Sequence, residues 1–218
     1  MNKTRYGHSL LCSVFCASAI ILEANQHTFS DEESSRMSQL IAESTRKRAV
    51  QESGLLNENP LIQSDIPKSL DFIKKHADYT SYHLLLAIRK YYPVSYKGIR
   101  EADKSAILCS ALKSSKWLND WGSLSPSESF DGESARALLE TGRAALAFLA
   151  PILNDSKDAL LFGSKEATAS TVYSYRRKDF AYRYASLILE HSPSFSSDVK
   201  ERDKRIESLK AILILGRK

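Results

Sequence analysis

Arginine and tyrosine interleave most densely in one stretch, Tyr173-Ser174-Tyr175-Arg176-Arg177-Lys178-Asp179-Phe180-Ala181-Tyr182-Arg183-Tyr184. Guanidinium groups grip carboxylates and phosphates, and phenol rings stack on bases or sugars, so this composition suits recognition of an anionic partner. Tyr175, Arg176, Arg177 and Arg183 are the expected partner-binding residues. A competing structural reading turns Phe180 and Tyr184 into the core. It pairs Asp179 with Arg183 one helical turn on and makes Arg176-Arg177-Lys178 a solvated turn. Four cations in twelve residues are too few for a nucleic-acid groove, so the expected partner is a protein or an anionic component of the cell envelope.

Other residue types capable of chemistry are sparser. Trp117 and Trp121, one turn apart beside Asn119 and Asp120, would make a ligand shelf for sugar stacking, or else a corner of the core with the indole N–H groups bonded locally. Asp131, Glu133 and Glu140 lie close in sequence. A carboxylate such as Glu133 or Glu140 near the tryptophans would serve an envelope hydrolase acting on carbohydrate or peptidoglycan. Yet Asp131 reads better as a helix N-cap and Glu133 as a first-turn partner of the helix dipole.

The reactive motifs of common enzyme classes are missing. There is no Gly-x-Ser-x-Gly elbow, and the eight glycines form no phosphate loop. His76 and His83 are accompanied by no His-Glu-x-x-His or Cys-x-x-Cys pattern, so neither metal nor cofactor is expected and no catalytic residue is assigned. Cys109, among Ile107, Leu108 and Leu112, reads as a small buried hydrophobe in a helix rather than a nucleophile.

The elements that must position these residues are helices. No stretch alternates apolar and polar residues for long, and Asp131-Gly132 is not flanked by β-branched runs. Caps and stops recur instead. Ser30-Asp31-Glu32-Glu33 opens a helix with Met37, Leu40, Ile41 and Val50 that stops near Gly54. Pro67 belongs in the first turn of the next, with Leu70 and Ile73 on one side. Thr80 caps a helix carrying Leu84, Leu85 and Ile88, which Pro93 ends.

A longer helix is expected from about Ala102 to Trp121, with Gly122 as its stop, and two more through Leu138-Leu139 and Arg143–Leu153. After a connector, Asn154–Gly163, come helices from Ser164, over Asp179–His191, and from Asp198 to about Leu215. The basic runs Arg46-Lys47-Arg48 and Lys200–Arg205 read as solvated surface. The fold class is therefore all-α, an antiparallel multi-helix array.

Leu138-Leu139-Glu140-Thr141-Gly142-Arg143-Ala144-Ala145-Leu146, followed by Leu149, Leu153 and Asp155, resembles the helix pair of a HEAT-type repeat. Asp179-Phe180-Ala181-Tyr182-Arg183-Tyr184-Ala185 is similar to the helix start that follows such a pair. The resemblance covers about a quarter of the chain, shows no fixed period, and implies a short stacked α-solenoid whose concave face binds a partner.

Charge and the N-terminus bound the location. The 218 residues carry a formal net charge of +5, a mild excess that permits anionic partners without demanding them. Lys3, Arg5 and His8 precede the uncharged run Ser9–Leu22, which suits a secretory signal and falls short of the roughly 20 residues of a spanning helix. Cleavage after Ala19 or Ala24, lipidation at Cys16 and retention as an anchor are the alternatives. The expected organisation is a signal peptide or anchor (1–24), an N-terminal helix and linker (25–64) and a helical domain (65–218). With residues 1–24 removed, Cys109 stands alone and no internal disulfide can form. The chain thus reads as an exported, periplasmic or secreted helical protein that binds a partner and touches membrane only through residues 1–24. An envelope hydrolase and a purely structural subunit of a larger assembly are the alternatives.

Overall fold

Pro67 lies in the first turn of helix α1 (Ile66–Lys75), where a missing N–H leaves no hydrogen bond unmade. The computed structural model describes residue 61 and residues 63–115, 118–124, 132–161 and 164–215. All belong to one unit, Ser38–Lys218, the other being Met1–Met37. The segment 1–24, the helix expected from Ser30 to Gly54 and the basic run Arg46-Lys47-Arg48 lie outside the described residues, as do Trp117 and Asp131.

The next helices follow their punctuation closely. Asp78, rather than Thr80, supplies the cap, its carboxylate accepting from the Thr80 N–H at 2.8 Å to open the turn Tyr79–Ser81. Helix α2 (Tyr82–Tyr91) buries Leu84, Leu85 and Ile88. Pro93 ends α2 and at once starts a short helix, α3 (Pro93–Lys97), which at five residues is too brief for periodicity to reveal.

Helix α4 (Glu101–Ser114) turns Ile107, Leu108, Ala111 and Leu112 wholly inward. It ends earlier than its apolar pattern suggests. Ser115 adopts ψ 136, and serine competes for backbone groups better than it holds a helix. Leu118 N–H then bonds to the Leu160 carbonyl at 2.8 Å, and Asn119–Trp121 forms a separate 3₁₀ turn. Gly122 closes that turn at φ 82, ψ −167, a conformation essentially reserved for glycine.

Helix α5 (Glu133–Glu140) leads through the 3₁₀ turn Gly142–Ala145 to α6 (Leu146–Ile152), which tolerates Pro151 inside it. The last three helices are α7 (Ser164–Tyr173), α8 (Arg177–Ile188) and α9 (Val199–Leu215). Both α7 and α8 stop on a non-glycine residue in the left-handed region, Ser174 at φ 50 and Glu190 at φ 60. Each is followed by the backward hydrogen bond of a Schellman cap, Tyr175 N–H to Ser170 O at 3.1 Å and His191 N–H to Ser186 O at 2.9 Å. Asp198 opens α9, as its position predicts, by accepting from the Lys200 N–H at 2.9 Å.

Helix packs on helix, with no strand among the described residues beyond one isolated antiparallel bridge between Asp158 and Arg176. α4 is central and touches α2, the Tyr79–Ser81 turn, α5, the Gly142–Ala145 turn and α6. α8 lies across α5 and α6, and α9 packs on α8 and α6. The pair that resembles a HEAT-type repeat is thus α5 and α6, with the helix start at Asp179 stacked on both, an all-α array compatible with that resemblance. No described helix is long and apolar enough to cross a membrane.

Cys109 occupies the interior of α4 at 3% exposure, and burial pushes its thiol up to about 12. The unfolded thiol ionises near 8.5, so this group lowers folding stability progressively as pH rises above that value. Peptide mapping after maleimide treatment at pH 8 should find Cys109 unmodified in the native protein and modified in urea. Rapid native labelling would show that α4 opens readily.

Candidate functional site

The start of α8 is built around a single carboxylate. Asp179, three residues past the N-cap, accepts from the Arg176 backbone N–H at 2.9 Å, which satisfies an otherwise orphaned helix donor. The Arg176 guanidinium clasps the same carboxylate at two points, Nε to Oδ2 at 3.1 Å and Nη2 to Oδ1 at 2.9 Å. Arg202 reaches it from α9, Nη1 to Oδ2 at 2.8 Å, and its other amino group donates to the carbonyls of Tyr173 at 2.7 Å and Ser174 at 3.3 Å. Asp203 completes the network, pairing with Arg176 at 2.9 Å and Lys178 at 2.8 Å. Burial acts to raise the Asp203 carboxyl, but the two cations overcome it and hold the group below its ordinary value. For Arg202 burial wins, and its affinity for the proton falls.

This arrangement revises the Arg/Tyr site. Phe180 and Tyr184 are buried, as the structural reading requires, but the partner of Asp179 is not Arg183; Arg176 and Arg202 take that place because α9 delivers a second guanidinium to the carboxylate. Tyr175, 1% exposed, is a core residue stacked on Tyr173 and set edge-on to Phe180 and Phe195. Arg176 is 8% exposed and committed to its two aspartates. Arg177 turns the other way, toward Asp155 at 3.5 Å. It is drawn there because the connector is strapped to α8 by backbone bonds, Lys178 N–H to Asp155 O and Arg177 N–H to Lys157 O, each 3.0 Å. The three arginines do not converge. Of the three, Arg183 is the one in the described lining of a cavity beside α8.

That cavity, about 310 Å³, has Leu124, Pro193 and Phe195 as apolar walls and Tyr182, Arg183 and Ser194 as polar ones, with Asp179 also in its lining. Its walls are fastened from behind. Phe195 is edge-on to Tyr173 and Tyr175 and carries the Arg202 guanidinium 4.7 Å from its ring centre. The Ser194 carbonyl accepts from Arg205 at 2.9 Å. Arg202, Phe195 and Pro193 escaped sequence reasoning because Lys200–Arg205 reads as solvated surface. The available signal was that Arg202 falls on the stripe of Ile206 and Leu209, all three of them buried.

Trp121 takes the place that the core-corner reading gives it and not that of a shelf. Trp121, 1% exposed, sits against Tyr184 with ring centres 5.7 Å apart, and its carbonyl accepts from the Tyr184 hydroxyl. It is a corner of the core and offers no stacking surface, because α8 covers it. Tyr82 bonds to Asp120 at 3.1 Å and to Ser134 at 2.6 Å beside it. Glu140 is clasped by Arg89, Nε to Oε2 at 3.0 Å and Nη2 to Oε1 at 2.6 Å, and Glu133 sits in the first turn of α5. Neither glutamate lines the α8 cavity, the one between α1, α3 and α4, or the one beside the connector.

The Arg89 clasp, set against a smaller opposing effect of burial, lowers the Glu140 carboxyl below its usual value, which suits a permanent anion rather than a proton donor. A lowered carboxyl stabilises the fold above its unfolded value of about 4.3 and loses that effect as pH falls through its folded value. Glu140→Gln should therefore cost less than about 1 kcal/mol at pH 7, since the side chain is half exposed. Urea titrations of the two proteins should converge below pH 4; a gap that persists there would mean the pair acts through packing instead.

The histidines go separate ways, His76 against Phe72 and His83 against Tyr79 and Tyr82. Among the described residues no group of three His, Cys, Asp or Glu side chains is placed to hold a metal ion. Compared with known proteins, the chain matches no family model, no curated protein and no solved structure.

Proposed function

We propose that this chain is an exported, non-enzymatic helical binding protein whose α8 surface meets a protein or an anionic component of the cell envelope. The observation that carries this reading is the cavity at Tyr182 and Arg183, whose Phe195 wall is packed by the Asp179-bound Arg202 guanidinium and by the Tyr173 and Tyr175 rings. A recognition site gains from such support, because a side chain already immobilised loses little entropy on binding. Tyrosine and arginine are the residue types that supply contact area and directed hydrogen bonds at interfaces. Export rests on the basic start and uncharged run of residues 1–24.

A photo-crosslinking residue placed at Tyr182 tests the reading, with the same residue at Val94, 85% exposed on α3, as the comparison. In cells fractionated after irradiation, position 182 should give a discrete adduct in the envelope fraction that Arg183→Glu removes. Equal labelling at both positions, or a protein found wholly in the cytoplasm, would discard it.

A further inference from the structure

We infer that the α8 cavity takes a carboxylate carried on an apolar stem, with Arg183 on the carboxylate and Phe195, Pro193 and Leu124 around the stem; this rests on the binding reading above. The first support is charge. Among the described residues Asp179 is the one carboxylate in the lining, and its two oxygens already accept four donors, from the Arg176 backbone, the Arg176 side chain twice and Arg202. Three of the four fall on Oδ2 and one on Oδ1, and two guanidiniums already balance the charge, so this carboxylate draws a ligand ammonium only weakly. Among the described residues around it, Arg176, Lys178, Arg183, Arg202 and Arg205 outnumber Asp179, Glu201 and Asp203. The local field favours an anion.

The second support is shape and size. About 310 Å³ is at the small end of the roughly 300–1,000 Å³ typical of small-molecule sites, enough for one aromatic or branched group. Three of the seven described lining residues are apolar, and Phe195 is packed by the Arg202 guanidinium and by the Tyr173 and Tyr175 rings. A polyanion such as a phosphate would want several cationic donors at the mouth. A single guanidinium beside apolar walls matches the planar two-oxygen fork of a carboxylate instead. Arg183 already interacts within the protein, so a ligand carboxylate would join that contact rather than meet an idle guanidinium.

The chemistry has two sources, a free carboxylic acid and the C-terminus of a polypeptide, and the test separates them. Calorimetry on the full chain would compare 3-phenylpropanoate with its neutral amide, and a tetrapeptide ending in phenylalanine with its C-terminal amide. Each acid that binds should do so at least tenfold more tightly than its amide, and added salt should weaken it. Tighter binding of the small acid points to a metabolite-like ligand; tighter binding of the peptide points to a chain terminus. Arg183→Gln should abolish the preference and Arg183→Lys should reduce it, while Lys97→Gln on α3 leaves it intact, circular dichroism confirming that each is folded. Amides that bind as well as acids, a preference that survives Arg183→Gln, or no saturable binding of either acid would overturn the inference. Should crosslinking at position 182 persist in that event, the binding surface stands and only its ligand chemistry is wrong.

Discussion

Asp179→Ala is expected to destabilise the folded protein by about 3–5 kcal/mol, the range for breaking one partner out of a buried ion network. Asp179 is 3% exposed, and its removal strands two guanidiniums, Arg176 at 8% and Arg202 at 4%. Arg176 keeps the carboxylate of Asp203, whereas Arg202 keeps the carbonyls of Tyr173 and Ser174 and the Phe195 ring but no carboxylate bond among those described, so most of the penalty falls on Arg202. The helix also loses the acceptor for its N-cap N–H, an additional cost of about 1 kcal/mol. A second substitution separates these effects. Asp179→Ala with Arg202→Met removes the stranded charge and should recover part of the loss, because a packed apolar side chain often substitutes for a buried pair at little cost. Urea unfolding followed by far-ultraviolet circular dichroism measures both. A single-variant loss under 1 kcal/mol would place the network in solvent, and the rigidity ascribed to the α8 cavity would go with it.

Gly132→Ala should cost about 3 kcal/mol, near the upper end of what overpacking does, and should lower the thermal midpoint by several degrees. A Cβ on Gly132 would stand 2.0 Å from the Asp120 carbonyl oxygen and 2.3 Å from its carbon. Both are backbone atoms, so no rotamer change relieves the overlap. The turn Asn119–Trp121 would have to shift, and with it the buried Trp121 side chain and the Tyr82 bond to Asp120. Gly132 itself is in ordinary extended backbone, φ −67 and ψ 175, so the demand comes from proximity alone. Gly98→Ala is the control. Its added Cβ meets Ser95 O at 3.3 Å in helical backbone, and the change should stay within about 1 kcal/mol. Equal effects at the two positions would mean the α5 start is not wedged against the turn.

The all-α class and most helix positions were legible in the chain, because caps, stops and apolar spacing are local signals. Pro67, Asp198 and the stripe of Leu84, Leu85 and Ile88 each act through neighbours a few residues away, and the structure uses them as the pattern predicts. The burial of Cys109, Phe180 and Tyr184 could be read for the same reason. Where a residue's role depends on an element distant in sequence, spacing is silent. Arg202 reads as surface until α9 packs on α8 and brings it to Asp179, 23 positions away. The four-residue step from Asp179 to Arg183 suggests an ion pair, but a fork already fixed at Arg176 and a second guanidinium from α9 fill that carboxylate. Spacing favours a core corner for Trp121 over a shelf, but which element covers the ring is decided only when Tyr184 packs on it. Periodicity determined which residues form helices and which stripe turns inward. Only the tertiary structure decided which cations are buried and which meet the cavity, because the energy of a charge depends on what surrounds it in space and not on its place in the chain.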